Sequence, residues 1–133
     1  MTATSISGLR QALATNLGTI SGLRTAAEIP DNPSPPIAIV TVDGIDYDQA
    51  FKQGLTIYNF TVLVIVGRAS EREAQRRLDA YSQTDGVKSA IESDRSLGGL
   101  AYDTRVVNLS TIGSLQLNDQ TYLVAEFSVS VFA

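Results

Sequence analysis

Residues 55–81 read LTIYNFTVLVIVGRASEREAQRRLDAY, an apolar run that passes through Gly67 into a charged one. In the first half Ile57, Tyr58, Phe60, Val62, Leu63, Val64, Ile65 and Val66 are interrupted only by Thr56, Asn59 and Thr61. β-Branched and aromatic side chains dominate, which predicts a strand covered on both faces toward its end. Thirteen extended residues span about 43 Å, whereas a globule of this chain length is about 36 Å across. The strand is therefore expected to bend or to project beyond its domain, and a projecting strand offers unpaired backbone groups to another chain. In the second half, Ser70 followed by Glu73 forms the pattern of a capping box, and Glu71 and Glu73 suit the positive end of a helix. Ala74, Leu78 and Tyr81 fall on one helical face, which belongs on a sheet. Arg72, Arg76, Arg77 and Asp79 make up the solvated remainder.

The 133-residue chain has the length of one domain, and a domain of this size buries roughly two thirds of its unfolded surface. It contains no cysteine and no histidine. Disulfides and thiolate chemistry are thus excluded, together with the commonest general base and metal ligand. The net charge of −4 argues against a protein that works by neutralising many phosphates. No apolar run approaches the roughly 20 residues of a membrane helix, and MTATSISGLRQ lacks the features of a secretory signal, so synthesis in a cytoplasm is expected.

Upstream, Ile6, Leu9, Leu13, Leu17 and Ile20 recur at steps of three and four, predicting an amphipathic helix from Ser5 to Ile20, capped by Ser5 or Ser7 and ended by Gly18 or Gly22. Leu23 to Ile29 alternates as a short strand would. Pro30, Pro33, Pro35 and Pro36 make an extended lead-in to a largely buried strand, Ile37 to Val42. Asp43 to Gly54 is expected to be a loop, long enough to suggest a function. Its Asp43, Asp46 and Asp48 lack the register of a calcium loop. Tyr47 and Phe51 either tuck under the domain or anchor a neighbouring subunit.

Downstream, Asp85 and Gly86 mark a break before a short helix carrying Val87, Ala90 and Ile91, which should stop near Gly98 and Gly99. Tyr102 to Leu109 and Ser114 to Leu117 are two short strand candidates, and Asn118 and Asp119 turn the chain into a last strand. There Leu123, Ala125, Phe127, Val129 and Val131 alternate with Tyr122, Val124, Glu126, Ser128 and Ser130. The order of elements predicts an α+β fold, a small and mostly antiparallel sheet with helices packed on one face. No serine-x-x-lysine, phosphate loop or dinucleotide motif is present. Paired carboxylates such as Glu71 with Glu73 are equally well read as surface. Neither an enzyme nor a cofactor or metal site is expected.

Taken together, GLRQALATNLGTISGLRT (8–25), PDNPSPPIAIV (30–40), IDYDQAF (45–51), VIVGRASEREAQRRLDAY (64–81), VKSAIESDRSLGG (87–99) and YLVAEFSVSVFA (122–133) resemble the tail terminator, or tail completion, proteins of long-tailed, non-contractile bacteriophages. The resemblance covers nearly the whole chain through its run of segments, not through a short diagnostic motif. It implies a virion structural protein at the tail neck, a homo-oligomer closing as a hexameric ring on the head-proximal end of the tail tube protein. Such a ring ends tube growth and meets the head-tail connector or stopper protein, while DNA passes through it without specific binding. The family supplies no interface motif. The candidate interface residues Tyr47, Asp48, Phe51, Lys52, Ile57 and Tyr58 come from this sequence alone. Another neck or tube component, a head-tail stopper or a tail tube subunit, is the nearest alternative, and a small soluble binding domain with an apolar pocket is the more distant one.

Overall fold

The computed structural model describes residues 6–20, 23–26, 36–47, 56–70, 72–117 and 119–133. Its elements run α1 (Ile6–Leu17), β1 (Arg24–Ala26), β2 (Ile37–Asp46), β3 (Ile57–Arg68), α2 (Arg72–Ser82), α3 (Val87–Ile91) with a following 3-10 turn (Glu92–Asp94), β4 (Asp103–Leu117) and β5 (Gln120–Phe132). The strands form one sheet in the order β1-β2-β3-β5-β4. Among the described residues only the β1–β2 pair is parallel. The predicted fold class is the observed one.

Strand β3 is the centre of the molecule. Tyr58, Phe60, Val62, Val64 and Val66 point to the helix side, where Leu9, Leu13 and Leu17 of α1, Ala74 and Leu78 of α2, and Val87 and Ile91 of α3 cover them. Ala125, Phe127, Val129 and Val131 of β5 complete that core, as the alternation predicts. A second, smaller cluster lies on the opposite face, made of Ile37, Ile39, Ile65, Tyr122 and Val124. This explains why the end of β3 is apolar on both sides.

Of the two expectations for this strand, bending or projecting with open edges, the second is overturned. β3 pairs with β2 from Ile65↔Ile37 to Ile57↔Asp46 and with β5 from Ile57↔Phe132 to Arg68↔Tyr122. Both of its edges are taken. The comparison with a globular diameter fails because the sheet is itself long, with β5 at 13 and β4 at 15 residues. The expected two short strands between Tyr102 and Leu117 are likewise one strand, β4, bulged between Val106 and Asn108 and again between Leu109 and Thr111. β2 also outlasts its predicted end at Val42, passing through a bulge at Val42/Gly44 to reach Asp46. The rest of the expected Asp43–Gly54 loop after Tyr47 lies outside the described residues, as do Ser5, Gly22 and the segment 27–35.

Helix α1 stops at Gly18, whose N–H bonds the Ala14 carbonyl at 2.9 Å. Asn16, at a position facing the core between Leu13 and Leu17, donates from Nδ2 to the carbonyls of Ile91 (3.0 Å) and Asp94 (3.1 Å). It therefore fastens α1 to the end of the α3 segment. Beyond that, the Asp94 carboxylate accepts the Ser96 N–H (3.2 Å), the Ser96 hydroxyl (2.8 Å) and the Gly98 N–H (2.9 Å). These bonds, the Ser96 hydroxyl first, hold its carboxyl below the ordinary carboxylate range. They also stabilise a left-handed run, with Leu97 at φ 51°, Gly98 at 69° and Gly99 at 92°. Glycine carries such angles at no steric cost, and Leu97 is rewarded by burial in the core.

Candidate assembly surface

The ladder register places four residues in one row across an end of the sheet: Asp46 opposite Ile57, Ile57 opposite Phe132, and Phe132 opposite Asp103. The next row holds Asn59 and Ser130. Asn59 bridges the rows, donating to Asp46 Oδ2 (3.0 Å) and accepting the Ser130 hydroxyl on Oδ1 (3.1 Å). Both rows face away from the helices, because β3 alternates and its helix-side residues are Tyr58 and Phe60.

Two exposed tyrosines flank this end. Tyr47 follows β2 directly and is 68% exposed, while Tyr102 precedes β4 and is 77% exposed. The Tyr102 N–H bonds the Phe132 carbonyl at 2.7 Å. The strands they flank are separated by β3 and β5, hence by about 14 Å, three strand spacings. The Arg95 guanidinium clamps Asp103 through Nε (2.7 Å) and Nη2 (3.0 Å). That fork holds the Asp103 carboxyl below its ordinary value and raises Arg95.

Of the sequence-derived candidates, Tyr47 and Ile57 belong to this surface. Tyr58 does not: it is buried against the helix-side core and is corrected to a packing residue. Its parity with Phe60, Val62 and Val64 was the signal for that. Asp48, Phe51 and Lys52 lie outside the described residues. Tyr102 and Phe132 were missed, since nothing in a linear reading places residues 102 and 132 beside residue 57.

Strand β4 forms the outer edge of the sheet. Val107, displaced by the first bulge, and Ile112 are each 58% exposed there. Beside the edge, a groove of about 240 Å³ runs between the α2–α3 turn (Ser82, Gln83, Thr84) and Val106, Leu109 and Phe127. The Val106 N–H is capped by Glu92 Oε2 at 2.9 Å, and Glu92 Oε1 pairs with Lys88 at 2.6 Å. Burial opposes ionisation of Glu92, but the Lys88 ammonium and the Val106 N–H outweigh it and hold the carboxyl below its usual value.

Among the described residues no helix is long and apolar enough to cross a membrane, and no group of three acidic side chains converges as a metal site would require. No protein-family model matches the chain, and no curated protein matches it. Among solved structures, it aligns with a chain of the "Virion of native gene transfer agent (GTA) particle" at 13% identity, over 98% of this chain and 100% of that one, with a TM-score of 0.42. A likeness this distant carries no function from one protein to the other.

Proposed function

We propose that this chain is a non-enzymatic virion structural protein, a tail terminator whose copies close a ring on the head-proximal end of a tail tube and join it to the connector or stopper beneath the head. The family resemblance of the sequence suggests the role. The observation that carries it in the molecule is the sheet end bearing Ile57 and Phe132 between two exposed tyrosines, Tyr47 and Tyr102. Aromatic side chains on a rigid sheet make low-entropy anchors for a protein partner. Asp48, Phe51 and Lys52, outside the described residues, are proposed contact residues from the sequence alone. In such a ring DNA passes through the lumen without specific contacts, and the protein resides in the virion tail after synthesis in a host cytoplasm.

A terminator needs one face that mates with the tube and another that does not, so that growth stops where it binds. A ring of identical copies needs, in addition, a head-to-tail contact that closes after a fixed rotation. The long β4 edge with exposed Val107 and Ile112 favours a second reading, a tube subunit, because an edge contact that fails to close propagates. Electron microscopy of the purified protein with isolated tail tubes separates the two. A terminator decorates one tube end and forms at most rings alone, whereas a tube subunit grows filaments. Tyr47→Ser combined with Phe51→Ser is expected to leave the fold intact and abolish end decoration; undiminished decoration by that variant removes this surface from the contact.

A further inference from the structure

On the α1–β1 side of the molecule, one arginine nitrogen lacks a partner among the described residues. The Nε of Arg10 is shielded from water and bonds no acceptor among the described residues. Arg10 lines a recess of about 340 Å³ with Ser7, Gln11 and Ala14 of α1 and Thr25 and Ala26 of β1. Buried donors in folded proteins are almost always satisfied, and among the described residues this one has no acceptor. Arg24 is exposed on the same margin, giving it a positive character.

The opposite margin has the complementary sign. The α2–α3 turn lies along β4, rimming the groove floored by Val106, Leu109 and Phe127. Asp85 is exposed in that turn and has no ion pair among the described residues. The nearby Asp79, by contrast, is occupied by Gln75 at 3.2 Å. Strand directions fit as well. β1 is parallel to β2, and three antiparallel steps then lead to β4, so β1 and β4 run in opposite senses. A copy rotated about an axis along the strands therefore presents its β1 margin to β4 in the antiparallel sense.

We propose that the α1–β1 margin receives the α2–α3 turn of a second copy of this chain, with Asp85 of that copy accepting from the Arg10 guanidinium. The contact is head-to-tail, and its closure into a ring rests on the terminator reading. Arg10 is suited to the task because its planar fork binds a carboxylate through two parallel bonds.

The absence of cysteine makes the test direct. In the full chain, Gln11→Cys and Thr84→Cys, beside Arg10 and Asp85 and leaving both in place, are introduced singly and together, and each protein is treated with a short bis-maleimide in solution and on isolated tail tubes. A linker closing within one chain leaves a monomer by mass, so only joined copies give a ladder. The double variant is expected to give a ladder of covalent oligomers, and each single variant is expected to remain monomeric. A covalent dimer of Thr84→Cys alone means a symmetric β4 contact and overturns the proposal, as does no cross-linking of a double variant whose circular dichroism is native. Cross-linking absent on tubes that the protein still caps sinks this contact and leaves the terminator reading standing; a ladder from a protein that ignores tube ends does the reverse. As a second arm, Arg10→Glu and Asp85→Arg should each weaken self-association about tenfold or more and restore it when combined. Saturable stabilisation by inorganic phosphate that Arg10→Glu abolishes, with no charge-swap rescue, means a small-anion site and also refutes the contact.

Discussion

Replacing Asn16 by alanine tests whether α1 is fastened by hydrogen bonds or merely packed by its leucines. Asn16 is only 7% exposed, and its amide nitrogen serves two carbonyls, Ile91 at 3.0 Å and Asp94 at 3.1 Å. The Asp94 carbonyl keeps the Leu97 N–H at 3.2 Å when the amide is lost. The Ile91 carbonyl, at the end of α3, is left poorer. Two hydrogen bonds of ~1 kcal/mol each, plus part of the cost of an unsatisfied buried carbonyl, give about 2–3 kcal/mol. For a domain of this size that lowers the melting temperature by roughly 7–10 °C. Asn16→Asp sharpens the test, because an ionised carboxylate of nearly the same shape turns an acceptor toward two carbonyl oxygens. It should destabilise more than alanine near neutral pH and recover as the new carboxyl is protonated. Urea unfolding of the three proteins at two pH values measures both effects. A loss below about 0.5 kcal/mol in Asn16→Ala, within the range of ordinary surface substitutions, would refute the reasoning.

Gly86→Ala should cost about 2–3 kcal/mol, since a Cβ there would overlap the Ala80 carbonyl oxygen and lie 2.7 Å from that of Tyr81; chemical denaturation checks it, and a neutral effect would mean that the end of α2 shifts freely. Phe60→Ala, at a side chain that is 1% exposed in the centre of the core, should lose about 3–5 kcal/mol, against far less for Ile57→Ala at the open end of the sheet. The pH dependence follows from Asp103. Its folded-state carboxyl titrates below the ordinary value because of Arg95, so its contribution is complete above about pH 4, the value of an unfolded aspartate, and is lost as pH falls through the depressed folded value. Asp103→Asn should therefore lower stability near neutral pH and converge on the parent protein in acid, which flattens the acid limb of the profile, as urea midpoints between about pH 6 and pH 3 would show.

How much of this was legible in the sequence depends on how regular each element is. β5 was readable because Leu123 to Val131 alternates without interruption, the extra residues at the register shifts lying on its partners β3 and β4 and none on β5. α1 and α2 were readable from their three-and-four spacing. β4 was not, and the reason is physical: each bulge adds a residue and flips the alternation, so Val106 and Val107 stand side by side and the stretch from Ser110 to Gly113 loses its period. The position of β3 was misjudged for another reason. Composition showed that it is covered on both faces, but which strands lie on its two edges is decided by residues 37–46 and 120–132, which carry no label saying so. The candidate surface was half legible. Tyr47 and Ile57 stand out as residues, whereas Tyr102 and Phe132 join them only through the register. Asn16 had a faint signature, a lone amide on an otherwise apolar helix stripe. Arg10 had none.

The wiring of the sheet has a consequence for the chain as it is made. β3 acquires its first neighbour, β2, locally, but its other neighbour is β5, about fifty residues downstream. While a ribosome is still producing the segment between them, the most aggregation-prone stretch of the protein has one whole side of its ladder open. A nascent chain stalled before residue 120 would therefore present a sticky template, and the cell would have every reason to hand it to a chaperone until the closing hairpin emerges.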